Sequence, residues 1–138
     1  AEHCYYGMFQ YCTSLATAPE LPAESLAEYC YRDMFTGCKS LTNLPELPYF
    51  TSLATGCFNG MFQYCTKLSS VRLVIDDPEM DESFPELYFL NWLNGAGTKA
   101  DSPQLYLGGG IYYYYNDHRD DCTNESLFPE NWTVQPLW

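Results

Sequence analysis

Apolar positions over the first seventy residues recur in blocks that superimpose after shifts of 26 and then 27 residues. Cys4, Met8, Phe9, Cys12 and Leu15 return as Cys30, Met34, Phe35, Cys38 and Leu41, then as Cys57, Met61, Phe62, Cys65 and Leu68. Pro19, Leu21 and Pro22 return as Pro45, Leu47 and Pro48, and Leu26-Ala27 returns as Leu53-Ala54. A period between about 20 and 50 residues marks a stacked array, in which each unit buries its apolar face against its neighbours. Within a unit, Cys30, Met34 and Cys38 fall at i, i+4 and i+8. That spacing predicts one face of a helix about two turns long, with Gly37 near its end. In "KSLTNLPELP", Leu41 and Leu44 point inward and Leu47 follows, as expected of a short strand and a proline-bounded turn. Each unit is expected to be a short helix, a short strand, a second extended segment and a return.

The period is lost after residue 70. "VRLVI" at 71–75 alternates as a strand that continues the last unit's sheet. "ELYFLNWLNG" sets Leu87, Leu90 and Trp92-Leu93 near helical spacing before Gly95, as a short helix capping an open apolar end. "SPQLYLGGG" and "NWTVQ" predict strands that complete the cap. The fold class expected is α+β: a solenoid of about three repeats over residues 1–75, closed by a mixed capping region over residues 76–138.

Charge narrows the partners. The chain has 138 residues and a formal net charge of −12. Residues 1–70 hold 6 acidic and 3 basic residues, whereas residues 71–138 hold 12 and 3. Nucleic acid needs Lys and Arg to replace its counterions, so this balance speaks against it, and against anionic membrane surfaces. No run of about 18 apolar residues is present to insert in a membrane. No signal-peptide pattern is visible, and the chain begins inside a repeat, as a mature fragment would.

Seven cysteines raise the question of chemistry. On a helix, Cys4 and Cys12 would lie about 12 Å apart at 1.5 Å per residue, beyond the roughly 7 Å reach of a disulfide. Zinc would call for a CxxC or a His pair, and the chain has only His3 and His118. Equivalent cysteines of successive repeats should stack: Cys4, Cys30 and Cys57 in one column, Cys12, Cys38 and Cys65 in the other. A ladder of small apolar side chains in the core is the simpler expectation, and stacked disulfides are the alternative. Cys122 lies four residues after His118, among carboxylates that would raise a thiol pKa, the wrong direction for a nucleophile. No phosphate-cradling loop, HExxH or nucleophile elbow is present. No catalytic residue, metal site or cofactor is expected. "DDPEMDE" lacks the EF-hand order and is expected to be a solvated acidic turn.

Tyrosine is abundant, with 13 residues, and four are consecutive in "GGGIYYYYNDHRDD". A strand there would show two rings on each face. Residues Tyr112, Tyr113, Tyr114, Tyr115, Asn116, Asp117, His118 and Arg119 are the candidate ligand-binding set, because exposed tyrosines suit recognition. The bland alternative packs two of the rings on the cap.

The blocks "MFTGCKSLTNLPELP" and "MFQYCTKLSSV" resemble BspA-type leucine-rich repeats of surface proteins of gut and oral anaerobes. The segments "WLNGAGT" and "FPENWTV" are similar to a recurring ending of such chains. The resemblance implies a curved leucine-rich-repeat-like solenoid, an extracellular or cell-surface location, and adhesion to a protein or glycan rather than catalysis. A spacer or cap without its own ligand is one alternative. A diversified phage or bacterial binding protein with a variable Tyr/Asn/Asp loop is another. Further repeats or a partner chain are expected against the N-terminal face.

Overall fold

The computed structural model describes residues 3, 5–21, 25–44, 46–78, 84–118 and 128–137. They form an α+β fold with one four-stranded sheet and two short helices. Strands β1 (Tyr49–Phe50), β2 (Ser70–Ile75), β3 (Gln104–Gly108) and β4 (Thr133–Pro136) lie side by side in that order, every pair parallel. Helix α1 (Phe84–Phe89) lies between β2 and β3 in the chain, and α2 (Gly110–His118) between β3 and β4. The alternation in "SVRLVI" sets Val71, Leu73 and Ile75 inward and leaves Arg72 outward. The strands expected in "VRLVI", "SPQLYLGGG" and "NWTVQ" are present as β2, β3 and β4, whereas the short strand expected in "KSLTNLPELP" is reduced to a single bridge at Asn43. Hydrogen bonds from Thr42 N to Ala16 O and from Ser69 N to Thr42 O extend the same parallel run back to a bridge between Thr17 and Asn43.

The helix expected over Cys30–Cys38 is not formed. That segment is a chain of turns whose N–H groups point alternately in two directions. Cys30, Arg32, Met34, Thr36 and Cys38 donate to the carbonyl three residues back at 3.1–3.2 Å. Tyr31, Asp33, Phe35 and Gly37 donate to Cys57, Asn59, Met61 and Gln63 of the next block at 2.8–3.0 Å. Half the donors leave the segment, so the i→i−4 ladder of an α-helix has no way to close. Tyr29, Asp33 and Gly37, four residues apart, take left-handed φ values of 54°, 53° and 74°. The local repeat is thus four residues rather than 3.6. It keeps Cys30, Met34 and Cys38 on one buried face, which is why their spacing imitates a helix.

The same pattern continues past the expected cap. Gly56, Phe58, Gly60, Phe62 and Tyr64 donate to the carbonyls of Leu87, Tyr88, Leu90, Trp92 and Asn94 at 2.8–3.0 Å. Of the capping helix expected over 86–95, only the part up to Phe89 is helical, as the end of α1, and the segment after it runs in turns as far as Gly95. Two aromatic columns cross these segments. Phe9, Phe35 and Phe62 stack at 5.6 and 5.8 Å with 5° between planes, and Trp92 follows at 6.0 Å. Tyr5, Tyr31, Phe58 and Phe89 form the second column at 5.0–6.2 Å. Outside the columns, the ring of Tyr29 lies over Gly56 and that of Tyr64 over Gly95, where a Cβ would come within 2.7 Å of Tyr64 Cδ1.

Candidate functional site

The tyrosine run lies in α2 and not in a strand. Ile111 is buried, Tyr112, Tyr114 and Tyr115 are half-buried, and Tyr115 meets Phe128 edge-on at 4.8 Å. Tyr113 alone is well exposed, at 64%. A helix turns consecutive side chains by about 100° each, so four rings in a row spread around it instead of forming one patch. Asn116 and Asp117 are exposed. His118 ends the helix, while Arg119 and Cys122 lie outside the described residues. The acidic stretch is also only partly solvated. Asp76 is exposed and its Oδ2 accepts from Tyr49 Oη at 3.1 Å, but Asp77 is buried and its Oδ2 accepts from Leu53 N at 3.0 Å. That backbone bond draws Asp77 inward.

Cys57 lies beside Cys30, and Cys38 beside Cys12 and Cys65, while Cys4 is outside the described residues. Cys30, Cys38, Cys57 and Cys65 are buried thiols, and Cys12, at the edge, is exposed. Cys38 Sγ donates to Phe9 O and Cys65 Sγ to Phe35 O, both at 3.0 Å. Burial pushes Cys57 and Cys65 up to about 12 and Cys38 up to about 11. A nucleophile needs the opposite shift. Among the described residues no group of three or more His, Cys, Asp or Glu side chains could hold a metal ion. No described helix is long and apolar enough to cross a membrane.

These thiols give a direct prediction. At pH 8, a soluble aromatic disulfide should label Cys12 at least about tenfold faster than Cys57 or Cys65, read by peptide mass spectrometry, because only thiolate reacts and buried thiols resist ionisation. Equal labelling would place all three at the surface. The sign of the pH dependence also follows. The unfolded thiols ionise near 9 while Cys57 and Cys65 stay neutral to about 12, so their share of stability is complete below pH 9 and falls as pH rises above it.

Concave surfaces among the described residues include grooves on the sheet and on the turn segments. On the outward face of the sheet, Arg72, Tyr106 and Gln135 lie in register across three strands. Arg72, Tyr106, Pro136 and Leu137 line a groove of about 420 Å³ there. A polar groove of about 380 Å³ crosses the turn segments between Tyr29 and Asn91. An apolar groove of about 210 Å³ opens at the first turn segment, between Tyr5, Met8, Phe9, Leu21 and Met34. Met8 at that edge is 60% exposed and Tyr11 65%, whereas Met34, the counterpart of Met8, is 1% exposed. The carbonyls of Arg32, Met34 and Thr36 accept from Gly7, Phe9 and Tyr11, but their counterparts on Tyr6, Met8 and Gln10 meet no backbone donor among the described residues. The spacing that predicted β2 and β3 already contained the sheet row, since Arg72 and Tyr106 are the outward members of alternating strands. The turn groove left no trace in the pattern, because it depends on stacking across segments about 30 residues apart.

No family model, curated protein or solved structure matches this chain.

Proposed function

We propose that the chain is a leucine-rich-repeat-like solenoid of the BspA type, working as a non-catalytic binding module at a bacterial cell surface. Its ligand is a protein or glycan bound outside the cell. The stacking of the turn segments at the sequence period supports the solenoid. The observation that carries the binding role is the outward row of Arg72, Tyr106 and Gln135, in register on adjacent parallel strands. A stacked parallel sheet holds such a row rigid, and a ring beside a guanidinium and an amide offers an apolar surface with directed donors. Recognition moves from Tyr112–Tyr115 to this face, since three of those four rings pack inward. In the same reading, further repeats or a partner chain cover the exposed edge at Tyr5, Met8 and Phe9.

The test is binding of the intact chain to arrays of matrix proteins and glycans, with Tyr106→Ser and Tyr113→Ser beside it. Tyr106→Ser should weaken binding at least about tenfold, as loss of an interface ring does, while Tyr113→Ser leaves it within about twofold. Loss in Tyr113→Ser alone would return the site to α2. No binding by the intact chain would support a spacer instead.

A further inference from the structure

We infer that the groove crossing the turn segments is a second binding site, and that it takes a neutral saccharide. The inference rests on the binding-module reading, but it uses none of the sheet residues, so either can fail without the other.

The lining is polar and balanced in charge. Arg32 Nε pairs with Asp33 Oδ2 at 3.4 Å, so the one cation and the one anion of the groove offset each other. The guanidinium is held over the rings of Tyr6 and Tyr29, at 5.8 and 5.5 Å from their centroids. With Nε facing Asp33, its Nη groups are the donors left for a ligand. Asn59 Oδ1 accepts from Leu90 N at 2.9 Å, which fixes the amide plane and leaves its NH2 as a donor. Thr36 Oγ1 gives its one hydrogen to Gly60 O at 2.6 Å and lies 3.4 Å from Asp33 Oδ1, so the carboxylate keeps lone pairs for a ligand. Gln63 and Asn91 each add an amide that both donates and accepts. The floor is Gly60, whose missing side chain leaves room for the Asp33 carboxylate to fold across it.

This set selects its ligand by chemistry. A sugar ring carries several hydroxyls, each able to donate and to accept, and no charge. Asp33 can take hydroxyl protons, while Arg32 and Asn59 donate to hydroxyl oxygens. A phosphate or carboxylate would meet Asp33 and a chain of net charge −12. An apolar ligand would find little beyond Leu90, because the Tyr29 ring already has His3 stacked on it and the Arg32 guanidinium over it. A volume of about 380 Å³ lies in the range of small-molecule sites. The walls are also preorganised: Asp33 N donates to Asn59 O and Gly60 N to Leu90 O, both at 2.9 Å, tying three segments together across the groove. Little ordering remains for a ligand to impose.

The experiment titrates the full chain with glucose, galactose, mannose, N-acetylglucosamine, cellobiose and lactose, read by saturation-transfer NMR and calorimetry. At least one sugar should bind saturably. Gln63→Leu and Asn91→Leu should each weaken it by about tenfold, equivalent to roughly 1.4 kcal/mol. Gln63→Glu keeps the size of the side chain and checks that the loss does not come from misfolding. It should bind more weakly while melting with the wild type. No saturable binding by any of the six sugars overturns the inference, as does equal affinity in Gln63→Leu and Asn91→Leu. If the sugars fail while Tyr106-dependent binding to an array ligand persists, the saccharide site falls and the binding-module reading stands.

Discussion

Phe62→Ala should lower the unfolding free energy by about 3–5 kcal/mol. Phe62 is fully buried in the middle of the column that runs from Phe9 to Trp92, 5.8 Å from Phe35 and 6.0 Å from Trp92. Its loss leaves a cavity that its neighbours cannot close. Phe35 is held in place by its own N–H bond to Met61 O, and the backbone of residue 62 is bound to Trp92 O at 2.8 Å. Because the backbone on both sides is fixed, the segments cannot slide together to refill the gap, which places the cost near the upper end for a Phe truncation. For a chain of this size the midpoint of thermal unfolding should drop by roughly 10 °C. Phe9 ends the same column and is only half-buried, so Phe9→Ala should cost about half as much. Urea denaturation of the two variants checks the pair, and equal losses would mean that the column is not a continuous core.

The second large effect is expected at Gly56. Its φ is +64°, and a Cβ there would run into the ring edge of Tyr29. Gly56→Ala combines a left-handed alanine, about 1–2 kcal/mol, with overpacking of about 1–3 kcal/mol. Gly7 separates the two parts. Its φ is +57°, but an added Cβ would meet only Gln10 Oε1 at 3.4 Å, an ordinary contact. Gly7→Ala should therefore show the conformational part alone. Adding Tyr29→Ala to Gly56→Ala should recover the packing part, so the double variant should be more stable than the sum of the single losses predicts. Strict additivity would mean that the ring does not rest on the glycine.

Much of this architecture was legible in the chain. Alternation at 71–75 specified which side chains of β2 face inward, and the 26- and 27-residue shifts placed Phe9, Phe35 and Phe62 in one column. The turn segments were misread because Cys30, Met34 and Cys38 satisfy both a 3.6-residue and a 4-residue period over so short a span. The deciding signal was a left-handed residue every fourth position, and only some of those are glycine: Gly37, Gly56 and Gly60, but also Tyr29, Asp33 and Tyr64. Tyrosine is a poor marker of positive φ, so the pattern was hidden where aromatics stood in for glycines. The tyrosine run failed for a related reason. Four identical residues carry no periodicity, so nothing in "YYYY" distinguishes strand from helix. The turn groove arises only when Arg32, Asn59 and Asn91 meet across segments, and no local pattern encodes that meeting.

The alternating N–H groups of the turn segments also give the molecule a direction. Within each segment, the N–H groups that leave it serve the following block and its free carbonyls serve the preceding one. Among the described residues, the backbone of the edge at Tyr6, Met8 and Gln10 therefore offers acceptors only. Two copies brought together there would set backbone carbonyl against backbone carbonyl, with only side chains left to donate. An exposed strand edge usually invites its own kind, because it carries donors and acceptors alike. This edge repels its own image, so its exposed Met8 and Tyr11 can be open to a partner of opposite polarity without making the protein self-associate symmetrically.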